Sequence, residues 1–175
     1  MKKLIGFFSL LIILFSTGCI KNTAAVNTDS KVEFDAATWN SNAVGVSYPI
    51  LLQRPTLGAA TPAPTPTFND SISRRITTDI IVRVNLLGPQ KNTLTTFNYR
   101  VVPAETNAIA GTHYTALSGT GTIPASSSFG FIDIKVLNSG IPSPTPAVIV
   151  LELLPNDVVA TNINYAKVGF SISQL

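Results

Sequence analysis

The sequence predicts an all-β protein, a sandwich of two packed antiparallel sheets with seven or so strands. Three observations predict it. Apolar residues recur at every second position in short runs, the period that gathers them on one face of a strand. Gly, Pro, Asn and Ser punctuate the intervals between those runs. No window carries an amphipathic helix longer than one turn.

The chain opens on Met1-Lys2-Lys3, followed by an apolar run from Leu4 to Phe15 broken only by Gly6 and Ser9. A permanent membrane-spanning helix needs roughly 20 apolar residues, so this run is too short to be one. A positive start, a short apolar stretch and the small residues Ser16-Thr17-Gly18 describe a secretory signal over residues 1–18. Phe15-Ser16-Thr17-Gly18-Cys19 resembles the lipobox of bacterial lipoproteins, with Ser16 where Leu is usual. That resemblance implies that residues 1–18 are removed and that Cys19 is acylated. Each buried acyl CH₂ contributes roughly 0.8 kcal/mol, so a multiply acylated Cys19 would hold the protein on a membrane. Cys19 is the only cysteine, which rules out a disulfide within the chain and leaves stability to the core.

Residues 19–30 lack an apolar period past the Cys and read as a lipidated tether to a domain spanning 31–175. Val32 and Phe34, then Val44, Val46, Tyr48 and Ile50, suggest one or two opening strands. From 54 to 73, Pro55, Pro62, Pro64 and Pro66 cannot donate ladder hydrogen bonds, so this stretch reads as a long extended loop. Ile80, Val82, Val84 and Leu86 then share one strand face. Phe97, Tyr99 and Val101 share another, and so do Ile132, Ile134 and Val136. Ile149, Leu151 and Leu153 oppose Glu152, and Val168, Phe170 and Ile172 close the chain. Tyr99 is in phase with Phe97 and belongs to the core.

Losing Lys2 and Lys3 with the signal takes the 12 basic residues to 10, against 9 acidic ones. A nearly neutral chain offers no electrostatic footprint for nucleic acid, which is excluded as a partner. Arg74-Arg75, the one adjacent basic pair downstream of the signal, reads as a solvated loop pair.

From Ala108 onward the chain resembles the Calx-beta type of immunoglobulin-like sandwich. The resemblance rests on Ala110-Gly111-Thr112-His113-Tyr114, Ile123-Pro124-Ala125, the run Phe131 to Asn138, the run Val148 to Leu153, and Val168-Gly169-Phe170-Ser171-Ile172. It implies the fold. It does not imply that family's calcium site, because His113 stands where Asp is usual and Asn138-Ser139-Gly140 replaces acidic residues. Calcium takes six to eight hard oxygens, mostly from carboxylates. The full layout, with Val32-Glu33-Phe34-Asp35 as a second landmark, is also similar to small lipoproteins that some bacteria encode beside outer-membrane glycan-uptake systems. That likeness implies a lipid anchor in the outer membrane, facing outward or inward, and an accessory binding role.

The residues offer no catalytic constellation, and the sequence predicts neither an enzyme nor a cofactor. His113, the only histidine, reads as a turn residue bonded to nearby backbone. With no second His and no available Cys, a transition-metal site lacks ligands. Asp133 and Glu152 read as solvent-facing positions on sheet strands. Among the aromatics open to a sugar, Trp39 is the candidate for glycan stacking, set in the polar context Thr38, Asn40, Ser41 and Asn42. Asp70-Ser71-Ile72 resembles the Asp-Ser/Thr-apolar acceptor that some such bacteria O-glycosylate, which makes Ser71 the candidate acceptor. The expected function is a non-catalytic, membrane-anchored binding module for cell-surface glycan capture. The alternative is a structural accessory subunit of an outer-membrane protein assembly.

Overall fold

The structure, a computed structural model, describes residues 29–55 and 70–175. The signal, Cys19 and most of the Pro-rich stretch therefore lie outside the described residues. Strand β1 (Lys31–Phe34) leads directly into a five-residue helix, α1 (Asp35–Trp39), and a two-residue strand, β2 (Ile50–Leu51). Then come β3 (Ile80–Leu87), β4 (Thr95–Val101), β5 (Thr120–Ile123), β6 (Phe129–Ile134), β7 (Ala147–Leu154), β8 (Ala160–Thr161) and β9 (Lys167–Ile172). They form a four-stranded sheet ordered β6-β3-β1-β8 and a five-stranded sheet ordered β2-β9-β7-β4-β5.

The period-two runs emerge as strands because their apolar faces meet between the sheets. Ile80, Val82 and Val84 from one sheet and Phe97, Ile149, Leu151 and Phe170 from the other are fully buried in one cluster. Tyr99 belongs to it, as its phase required. Truncating a side chain such as Phe97 to Ala costs on the order of 3–5 kcal/mol in such a setting.

Three expectations need correction. The sheets are mixed rather than purely antiparallel: β1 runs parallel to β8 and β2 parallel to β9. Both parallel partners are edge strands of two residues, too short to show a period in sequence. Val44 and Val46 form no strand; they are exposed in a loop that turns at Gly45, where φ is +83°. Arg74 is buried, with 6% of its surface exposed, while Arg75 stays exposed. Its guanidinium finds neutral oxygens inside: Nε donates to the Gln174 carbonyl at 2.6 Å and Nη1 to Asn138 Oδ1 at 2.9 Å.

Strand β7 shows why one face of the five-stranded sheet is dry on both sides. Val150 points away from the main core, yet it is buried beneath Tyr48 and Val102 with Ile50 and Val148 alongside. The loop carrying Tyr48 therefore acts as a cover for the outer face of that sheet.

Candidate functional site

A broad cleft of about 770 Å³ lies between α1 with its following loop and the 3-10 turn Ile163–Tyr165. Each wall is fixed locally. A five-residue helix is far below the length at which helices are stable alone, and α1 is held by burying Ala36 and Ala37. Thr38 Oγ1 donates to the Asp35 carbonyl at 2.7 Å and Asn40 Nδ2 donates to the Ala36 carbonyl at 2.7 Å, which ends the helix. Across the cleft, Asn162 receives the Asn164 backbone N–H on its Oδ1 and donates Nδ2 to Glu33 Oε2 at 2.7 Å. That pair ties the turn to β1.

The cleft is lined by neutral polar groups: Thr38, Asn40, Asn42, Ser47 and Asn164, with the half-buried ring of Tyr165 among them. Among the described residues no charged side chain lines it. The side-chain amides of Asn42 and Asn164 have no hydrogen-bond partner among the described residues, so both present a donor and an acceptor to whatever enters. Ile163 stands 87% exposed in the same wall.

Beneath the loop, Tyr48 is buried and faces Glu105. Burial first, then the hydrogen bond and charge of Glu105, push the phenol up to about 12. Glu105 is in turn lowered by hydrogen bonds from Lys167 and Tyr48. Lys167 Nζ sits 3.0 Å from Glu105 and 3.9 Å from Glu152, which also takes Arg100 Nε at 2.7 Å. This strip consumes its own charges and presents none to the cleft.

Of the residues singled out in the sequence, Trp39 ends α1 and is 50% exposed, but its side chain is not part of the cleft wall. Tyr165 is the aromatic of that wall. Tyr48, Tyr99 and Tyr114 are buried and closed to a ligand. Ser71 is half-buried, in an isolated antiparallel bridge with Gln53, and its carbonyl accepts from Arg54 Nη1. Cys19 lies outside the described residues.

His113 sits in the turn after Ala110 and accepts the Ile109 backbone N–H on Nδ1 at 2.9 Å, which ties it to its own loop. Asp133 and Glu152 lie on different sheets, the first exposed and the second ion-paired, so they are not a carboxylate pair across a cleft. Among the described residues no group of three or more His, Cys, Asp and Glu could hold a metal ion. None of their helices is long and apolar enough to cross a membrane.

Two features went unread in the sequence. The turn that sets Asn164 beside Tyr165, one of the tyrosines open to a sugar on sequence grounds, has as its only signal the Asn-x-Asn spacing of 162 and 164. Phe129 and Phe131 are 37% and 41% exposed on the outer face of β6, with ring centroids 5.6 Å apart. The Arg83 guanidinium lies 4.3 Å from the Phe129 centroid. Their signal was the alternation itself, which puts both rings opposite Ile132 and Ile134.

No known family pattern matches the chain, and no curated protein matches it. Solved structures do. The apo-form Calx CBD1 domain is similar with a TM-score of 0.51 at 13% identity, over 83% of this chain and 99% of that one. CBD12 from CALX1.2 is similar with a TM-score of 0.43 at 20% identity, over 54% of this chain and 38% of that one. A structure described as a candidate carbohydrate binding protein from Bacteroides ovatus reaches 0.41 at 14% identity, over 55% and 31%. At 13% identity the likeness to the Calx CBD1 domain is one of fold alone: the described residues form a β-sandwich with a Calx-beta-like fold.

Proposed function

We propose that the protein is a non-catalytic binding module that captures glycan chains, held by lipid on Cys19 in the outer membrane. The observation that carries this reading is the chemistry of the side cleft. Unpartnered amides and hydroxyls beside an aromatic ring suit sugar hydroxyls and the C–H face of a pyranose, and no charge is there to demand an ionic ligand. Trp39, half-exposed at the end of α1, extends the aromatic surface outside the cleft. Ser71, in this reading, carries a glycan of the protein's own, and unchanged intact mass in Ser71→Ala would remove that part.

A glycan array with the lipidated protein tests the main reading. Binding of neutral oligosaccharides that falls at least tenfold in Tyr165→Ala supports it; an array without hits, or hits indifferent to Tyr165→Ala and Trp39→Ala, would overturn it. Cys19→Ala should move the protein from the membrane fraction to the soluble one. Protease digestion on intact and lysed cells then reports which side of the membrane the domain faces.

The exposed pair Phe129 and Phe131 favours a second reading, an accessory subunit docked through its four-stranded sheet. Aromatic residues with Arg are enriched where proteins meet. Co-purification of an outer-membrane component lost in Phe131→Ser would decide for it.

A further inference from the structure

We propose that the crevice where β9 ends is a second binding site, selective for saccharides that carry a carboxylate, such as uronic acid units. It encloses about 540 Å³, within the range of small-ligand sites. Ser73, Ser171 and Ser173 line it with hydroxyls, while Leu52 and Pro144 supply apolar wall. Hydroxyls can meet sugar hydroxyls, and aliphatic wall can meet sugar C–H. The crevice shares no wall residue with the side cleft.

The charge of the ligand follows from two arginines. Arg75 is exposed and belongs to the wall. Arg74 lies one layer behind it, buried, donating to the carbonyl of Gln174, which is itself a wall residue. Neither takes part in an ion pair among the described residues. The neighbouring acids Asp70 and Asp79 favour the charged form of Arg54. Among the described residues no Asp or Glu lines the crevice.

A buried cation satisfied only by neutral oxygens is electrostatically uncompensated. Its field is weakly screened by the protein around it and draws an anion towards the wall. Arg75 supplies the direct contact, since its planar fork matches a carboxylate through two parallel N–H···O bonds. A neutral sugar could use the serines but would leave Arg74 uncompensated and Arg75 to water. The serines make the site a saccharide site, and the arginines make it an acidic one.

The test is calorimetric titration of the full chain in detergent with a galacturonate oligomer, and with the same oligomer methyl-esterified at its carboxyl groups. The expected result is binding of the acid form, at least tenfold weaker binding of the ester, and at least tenfold weaker binding of the acid form to Arg75→Gln. Binding of the acid form should weaken as salt is raised and stay unchanged in Tyr165→Ala. The proposal is overturned by no binding of the acid form, by equal affinity for the ester, or by an unaffected Arg75→Gln. Loss of binding in Tyr165→Ala would also overturn it, because the ligand would then lie in the side cleft. Arg75 is exposed, so its variant should fold; a circular dichroism spectrum matching the parent verifies this. Failure here leaves neutral-glycan binding at the side cleft standing, since that reading has its own probe and its own variant.

Discussion

At the end of the sandwich, a buried guanidinium ties together three segments far apart in sequence: Arg74, Asn138 and Gln174. Along the side, α1 is held by neutral bonds three and four residues long in sequence, and the turn at 163–165 by a local cap together with the tie from Asn162 to the Glu33 carboxylate. The two regions frame the same core, yet they differ in how their loops are fixed and in the charge they present. Long-range polar ties order the end as one unit. Local caps shape each wall of the side cleft, with one long tie from Asn162 to Glu33 at the turn, and leave Asn42 and Asn164 for a ligand.

The largest effect should come from breaking the long-range tie. Arg74→Ala removes the guanidinium and both of its bonds, although the Gln174 carbonyl keeps the Ser143 N–H and Asn138 Oδ1 keeps the Gly140 N–H. A hydrogen bond to a charged group contributes about 1.5–3 kcal/mol, so losing these two should cost about 3 kcal/mol in urea unfolding. The slope of the transition should stay constant. A loss under 1 kcal/mol would mean that water replaces the guanidinium and that the end is not organised by it.

Next comes Tyr48, which covers the outer face beside the side cleft. Its folded value of about 12 lies above the ordinary value of 10. The folded state therefore holds the phenolic proton where the unfolded chain has lost it. The resulting stability, on the order of 2 kcal/mol, is fully present below pH 10 and is lost as pH rises from 10 to 12. Tyr48→Phe should flatten the fall in stability across that window in a pH series of thermal melts. Glu105 works in the opposite sense: its lowered value gives stability that is present above its ordinary range and lost in acid. If Tyr48→Phe falls as steeply as the parent between pH 10 and 12, burial and Glu105 do not hold the phenolic proton.

These two residues also mark the limit of what could be read from the sequence. Tyr48 was placed in a strand because Val44, Val46, Tyr48 and Ile50 alternate. Alternation reports a face only where a partner strand pairs, and here just Ile50–Leu51 pairs with β9. Arg74 looked solvated because adjacent arginines usually are; the oxygens that bury it come from 64 and 100 residues away. By contrast β3 begins and ends where its pattern does, because its register against β6 is set by the same apolar side chains that make the pattern. At the side cleft, the polar run 40–42 was legible, but its partner wall was not. Tyr165 looked equivalent to the other tyrosines until packing buried three of them.

A smaller effect should follow from loosening the local wall. Asn40→Ala removes the amide donor from the Ala36 carbonyl at the end of α1. That carbonyl can turn to water in this half-buried position, so the loss should be about 1 kcal/mol. An effect as large as that of Arg74→Ala would erase the distinction between local and long-range ordering.

Trp39→Ala should change stability least, by no more than about 0.5 kcal/mol, because half of the residue is already in water and its side chain makes none of the hydrogen bonds that fix the wall. That small cost is what makes the variant informative. A parent-like melting curve with weakened glycan binding would assign the loss to the ring and extend the binding surface beyond the cleft wall. A drop of 2 kcal/mol or more would show instead that Trp39 packs as structure, and Tyr165 would remain as the aromatic contact of the cleft.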